Sequence, residues 1–164
     1  MSHNITAILL KGAYHTEKAA VFGLQGRALD FDLTLFHINH FQTACWQYEL
    51  QTKGYLPLSF EEPSLLPDHA AIAQVVRQIT GHEEPLYAVI HTDYFGGYGH
   101  QFACIYRGAD NIDTTAARIN QVLVHLGVVR AGTLDEFDTI GLGDIRSQPD
   151  YLDDYGDLAE QYGV

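Results

Sequence analysis

The stretch that most constrains this chain runs from Leu86 to Gly108, "LYAVIHTDYFGGYGHQFACIYRG". Two apolar runs of strand length enclose Gly96, Gly97 and Gly99. Val, Ile, Tyr and Phe suit a pleated surface, and glycine supplies the positive φ of a tight reversal. The stretch therefore reads as a β-hairpin, which needs further strands or helices to bury one of its faces. With the reversal centred on Gly97 and Tyr98, Phe95 lies opposite His100, Asp93 opposite Phe102 and His91 opposite Cys104. A slip of one residue would turn every side chain to the other face.

Other strands read in the same way. "NITAILLKG" is a short apolar run ending at Gly12, and "KAAVFGLQG" follows it. "FDLTLFHINHF" alternates, with Leu33, Leu35 and His37 on one side and Thr34, Phe36 and Ile38 on the other. "TACWQYELQ", rich in aromatics, reads as a further strand. Two segments have helical period instead. In residues 68–80, Ile72, Val75, Val76 and Ile79 form one stripe, with Asp68 as cap and Gly81 as stop. In residues 113–126 the stripe is Ala116, Ile119, Leu123 and Leu126, between Asp113 and Gly127. One apolar stripe per helix means that each covers a sheet rather than lying buried all round. The expectation is an α+β fold: an antiparallel sheet with two amphipathic helices packed on one face. "SFEEPSLLPDH", with two prolines, reads as the loop entering the first helix.

From Leu134 onward the chain becomes acidic, with nine carboxylates against Arg146 alone. Phe137, Ile140, Leu142 and Ile145 are spaced to dock, so an ordered but irregular segment is expected to residue 148. Residues 1–148 then form one domain, and residues 149–164 an acidic tail or short helix. The 164 residues suffice for a core, and a hydrophobic fraction of 46% marks a globular chain rather than a disordered one.

Charge removes several classes of function. The formal net charge of −12 opposes binding to nucleic acid or to anionic membranes. No apolar run approaches the roughly 20 residues that span a bilayer, and the N-terminus lacks a signal peptide's basic region. A cytoplasmic, bacterial protein is the expectation. Cys45 and Cys104 match no zinc or redox spacing and read as buried thiols.

The candidate chemistry gathers at the hairpin. His91 and Asp93 are two apart, so a strand sets them on one face. A carboxylate there raises the histidine pKa and orients its ring, the beginning of a general base when His100 joins them. The glycines lack the Lys and Ser/Thr of a phosphate loop. His37 and His40 face opposite sides of a strand, and Asp30 and Asp32 read as a solvated strand start. No serine lies in G-x-S-x-G. No metal site and no cofactor are expected.

Two functions remain. The first is a small acidic interaction protein, of the inhibitor or immunity type in size and composition, that binds a basic protein partner. Its contact residues would be Tyr94, Tyr98 and Gln101 at the hairpin, with Asp150, Tyr151, Asp153, Asp154, Tyr155 and Asp157 in the acidic end. The alternative is a small enzyme using His91, Asp93 and His100. Self-association through open sheet edges is a further expectation.

Overall fold

The apolar run after Asn4 becomes the middle of the molecule. A computed structural model describes residues 2–60 and 66–164. Its strands are β1 (Ser2–Lys11), β2 (Gly26–Leu29), β3 (Leu33–His37), β4 (Leu86–Phe95), β5 (Tyr98–Arg107) and β6 (Asp110–Asn111). They form one antiparallel sheet in the order β2-β3-β1-β4-β5-β6. The fold is α+β, as the pattern of periods required. The edges, β2 and β6, are four and two residues long, and short edges offer little template for another strand.

The helices are α1 (Thr16–Val21), α2 (His40–Glu49), α3 (Ala71–Thr80), α4 (Ile119–His125), α5 (Glu136–Thr139) and α6 (Asp154–Tyr162). They do not all lie on one face of the sheet. Ile8, Leu10, Val89 and Cys104 point to one side, where they meet Ile72, Val75, Val76 and Ile79 of α3 and Trp46 of α2. Leu9, Leu35, Ile90 and Ile105 point to the other side, where they meet Ile119, Val122 and Leu123 of α4 with Leu126 beyond its end. Expecting both amphipathic helices on one face was therefore wrong. The central strands are apolar on both faces, Ile5 to Leu10 being almost continuously so, and each face needs its own cover.

Two segments read as strands are helices. "KAAVFGLQG" contributes to α1, and "TACWQYELQ" to α2. For α2 the deciding signal is its start: Asn39 accepts a hydrogen bond from Gln42 N (2.8 Å), an N-cap that an aromatic count overlooks. Gln42, Cys45 and Trp46 then fall on one buried face at helical spacing. The two expected helices also start later than their stripes implied. Ala71 N at the start of α3 finds its acceptor in Gln47 Oε1 (2.9 Å) rather than in Asp68. Asp113 is held by Thr115 and His125, which leaves α4 to begin at Ile119. The stop of the first is as expected, with Gly81 at φ 72. Part of the proline-containing loop, residues 61–65, lies outside the described residues.

The acidic end is more regular than its composition suggested. Ile140, Leu142 and Ile145 dock in the α4-side core. Residues Asp150–Asp153 form a 3-10 turn that leads into α6, with Leu152 and Ala159 buried. Tyr162 stacks on Tyr48 of α2 at 4.2 Å between ring centres. Among the described residues, no helix is long and apolar enough to cross a membrane.

Candidate functional site

The hairpin turns one position earlier than its glycines first suggested. Phe95 pairs with Tyr98, Asp93 with His100 and His91 with Phe102. Gly96 and Gly97 are the two turn residues, at φ 59 and 84, and a two-residue turn of this hand takes positive φ at both. Centring it on Tyr98 would have forced a tyrosine into that region. Each partner moves by two residues, so the faces survive while the neighbours change. Gly99 has a separate reason to be glycine: a Cβ there would strike the Asp93 carbonyl oxygen.

His91, Asp93 and His100 do share a face, but they do not converge on a cleft. His91 is only 5% exposed. Its Nδ1 shares a hydrogen bond with Thr6 Oγ1 (2.8 Å), and its Nε2 is buried with no partner among the described residues. Its ring lies near those of His100 (6.1 Å between centres) and Phe102 (6.4 Å). Burial lowers the His91 pKa, His100 and His40 lower it further, and Asp93 only offsets part of the effect. The expected upward shift is thus reversed, because desolvation of the imidazolium outweighs the carboxylate. His100 Nε2 stands 3.9 Å from Asp93 Oδ2, with both side chains about half exposed, which is too long for a hydrogen bond. Such a pair neither orients an attacking group nor encloses a substrate.

The remaining candidates have mostly structural places. His37 Nδ1 bonds Gln148 Oε1 (2.8 Å), while His40 begins α2. Asp30 and Asp32 flank Phe31 in the turn between β2 and β3, where Phe31 and Asp32 take positive φ. Cys45 and Cys104 are buried thiols. Among the described residues, no group of three His, Cys, Asp or Glu side chains is arranged to hold a metal ion.

The other face of the hairpin carries a cleft. Tyr94 and Gln101, both singled out in the sequence, line it together with His3, Asn120, Asp135, Phe137, Gly143 and Arg146. Its volume is about 310 Å³, at the lower end of the roughly 300–1,000 Å³ of small-ligand sites. The sheet supplies the floor: His3 on β1 pairs with Tyr94 on β4, beside Gln101 on β5. Asn120, Asp135, Phe137, Gly143 and Arg146 complete the lining.

The polar side chains of His3, Gln101, Asn120 and Asp135 are each held in place. Gln101 Oε1 accepts from Ile119 N (2.8 Å) at the start of α4, while its Nε2 donates to the Tyr94 hydroxyl (3.1 Å). Asn120 Nδ2 donates to Asp135 Oδ2 (3.1 Å), and its Oδ1 accepts from Phe137 N (2.8 Å). His3 Nε2 donates to the Leu142 carbonyl oxygen (2.8 Å), and its Nδ1 bonds the Thr92 hydroxyl (2.7 Å). Asp135 caps α5 by accepting from Asp138 N (2.8 Å). That backbone bond, with Asn120 and the field of Arg130, holds its carboxyl below the ordinary range. Sequence reasoning missed His3, Asn120, Asp135, Phe137 and Arg146 as a group, because they come from separate segments with no shared spacing. The cap pattern Asp135–Asp138 was the one local signal.

At the acidic end, Asp150, Asp153, Asp154 and Asp157 are exposed, whereas Tyr151 and Tyr155 are half-buried. Tyr155 reaches toward Gly23 and its backbone oxygen accepts from Cys45 Sγ. Tyr155 and Tyr162 therefore serve the docking of α6, and the carboxylates Asp150, Asp153, Asp154 and Asp157 face solvent. No protein-family model, no curated protein and no solved structure matches this chain.

Proposed function

We propose that this chain is a small acidic interaction protein, of the inhibitor or immunity type, that binds a basic protein partner in the cytoplasm. One observation carries the reading: Phe95 and Tyr98, paired across the hairpin turn, are 79% and 85% exposed. Neither ring belongs to the two hydrophobic cores. Exposed aromatics on a rigid hairpin give large contact area at small cost in side-chain entropy, and they are frequent anchors of interfaces. Asp93 stands on the same face as the pair. The net charge of −12, with Asp150, Asp153, Asp154 and Asp157 exposed, favours encounter with a cationic surface. The enzyme alternative lacks comparable support, since His91 is buried and Asp93 and His100 are too far apart to act as a unit.

The test uses the full chain as bait in a native lysate. Two variants accompany it: Phe95→Ser with Tyr98→Ser, and a fourfold change of Asp150, Asp153, Asp154 and Asp157 to Asn. The parent is expected to retain a basic protein that is released as salt rises, because screening weakens long-range attraction. Both variants should keep the parent's circular dichroism and lose that protein. Recovery of the same proteins with the same salt dependence by all three forms would reject the reading.

A further inference from the structure

We propose that the groove between α1 and α3 binds a small amphipathic monoanion, a carboxylate carried on an apolar body. The groove shares no lining residue with the hairpin tip or with the cleft at Tyr94. The inference therefore goes beyond the proposed partner binding and does not depend on it.

The sequence builds this groove from two helix faces. Lys18, Val21 and Phe22 follow one another at i, i+3 and i+4 along α1 and its C-cap, and Gln74, Arg77, Gln78 and Gly81 do the same along α3 and its C-cap. The buried faces of the same helices, Ala19 on α1 and Ile72, Val75, Val76 and Ile79 on α3, belong to the core. Both ends of α1 are tied down. His15 N donates to Ile79 O at the end of α3 (2.8 Å), and Phe22 O accepts from Trp46 Nε1 of α2 (3.1 Å). The groove is therefore a standing feature of the fold. Its volume is about 610 Å³, against about 310 Å³ for the cleft at Tyr94, well within the range of small-ligand sites.

Two observations select the ligand. The first is apolar surface that the fold leaves in water. Val21 is 80% exposed, and Phe22 beside it is only partly buried, its ring edge-on to Trp46. An apolar body laid on these two side chains removes that surface from water. The second is charge. In a chain of net charge −12, the groove is lined by two cations, Lys18 and Arg77, against the single carboxylate of Glu83. Among the described residues neither cation is in an ion pair. Arg77 Nε donates to the Glu83 carbonyl oxygen (2.7 Å), which orients the guanidinium and leaves the donors of its two Nη groups for a ligand. This balance suits one carboxylate. A dianion such as a phosphate ester meets Glu83 and the field of the whole chain, and a neutral molecule gives the cations no counter-charge. Arg77 then takes the carboxylate in a charge-assisted bond, Lys18 adds its field from α1, and Val21 and Phe22 cover the apolar body.

Hydrocinnamate is the probe, titrated into isotopically labelled full-length protein and followed by amide chemical shifts. Saturable shifts are expected at Lys18, Phe22, Gln78 and Gly81, at roughly millimolar concentration for so small a ligand, while Tyr94 and Gln101 stay unmoved. Hydrocinnamyl alcohol, which lacks the charge, and acetate, which lacks the apolar body, should each bind at least about tenfold more weakly. Lys18→Gln, Arg77→Gln and Val21→Ser all change exposed side chains and should keep the parent's circular dichroism. Each should weaken hydrocinnamate binding by about threefold or more. Absence of saturable shifts in the parent overturns the proposal. So does equal binding of either control compound, or undiminished binding in any of the three variants.

Discussion

Gly97 shows how much of the hairpin rests on one backbone conformation. At φ 84 it sits where a side chain is strained, although nothing within 4 Å would meet an added Cβ. The cost of Gly97→Val is therefore conformational rather than steric, about 1–3 kcal/mol for a β-branched residue held there. Urea denaturation should show that loss, while His100→Ala, at a half-exposed site, should cost much less. Equal stability of Gly97→Val and parent would mean that the turn is not where these dihedral angles put it. The glycines were legible in the sequence, but the register was not. Three glycines in four positions allow more than one turn, and only the requirement for two consecutive positive φ values selects Gly96–Gly97. His91 teaches the complementary lesson. Its neighbour Asp93 is visible in the sequence, whereas the burial that outweighs Asp93 is not, because Thr6 and Phe102 approach from other strands.

Between elements, Gln101 is the clearest joint. From β5 it supplies the acceptor for Ile119 N, the first residue of α4, and anchors the Tyr94 hydroxyl on β4. Gln101→Ala removes both bonds and leaves a half-buried helix start without its acceptor. Loss of about 1–2 kcal/mol is expected, with faster amide exchange confined to residues 119–122. Uniform acceleration across the molecule would argue against so local a role. The strands β1, β3, β4 and β5 were legible because apolar periodicity survives wherever a sheet face is buried. So were the stripes of α3 and α4. The helix α2 was not, because Trp46, Tyr48 and Thr43 raise strand propensity, and its helical state is decided by the Asn39 cap and by burial against α3 and α6. The assignment of helices to opposite faces was equally hidden: a stripe tells that a helix covers something, and not which side of it.

For the molecule as a whole, three histidines join segments far apart in sequence. His37 meets Gln148, His69 shares a hydrogen bond with Thr43 Oγ1 (2.9 Å), and His91 shares one with Thr6. Burial is the leading cause that lowers the pKa of all three from the ordinary 6.5. The unfolded chain therefore binds protons that the folded chain refuses. These groups leave stability intact above about pH 7, and it falls as pH drops through 6.5 toward their folded values. The urea midpoint should accordingly decline between pH 7.5 and pH 5, and proton NMR should place the His91 titration below 6.5. A midpoint that rises on acidification, or a His91 titration above 6.5, would contradict this.

The strand order carries a consequence for the time course of folding. The strand β1 lies between β3 and β4, so both halves of the sheet must form against it. Its pairing with β3 closes within some thirty residues, yet its pairing with β4 joins Ser2 to Phe95, and Asn4 N donates to Arg146 O at 2.8 Å. Closing such loops costs entropy before any apolar burial repays it. Ile5 to Leu10 therefore gain their full cover only when β4 and the helices on both faces have joined β1. The β1–β4 closure, and not the β1–β3 pairing, is thus the step expected to limit the rate at which this sheet forms.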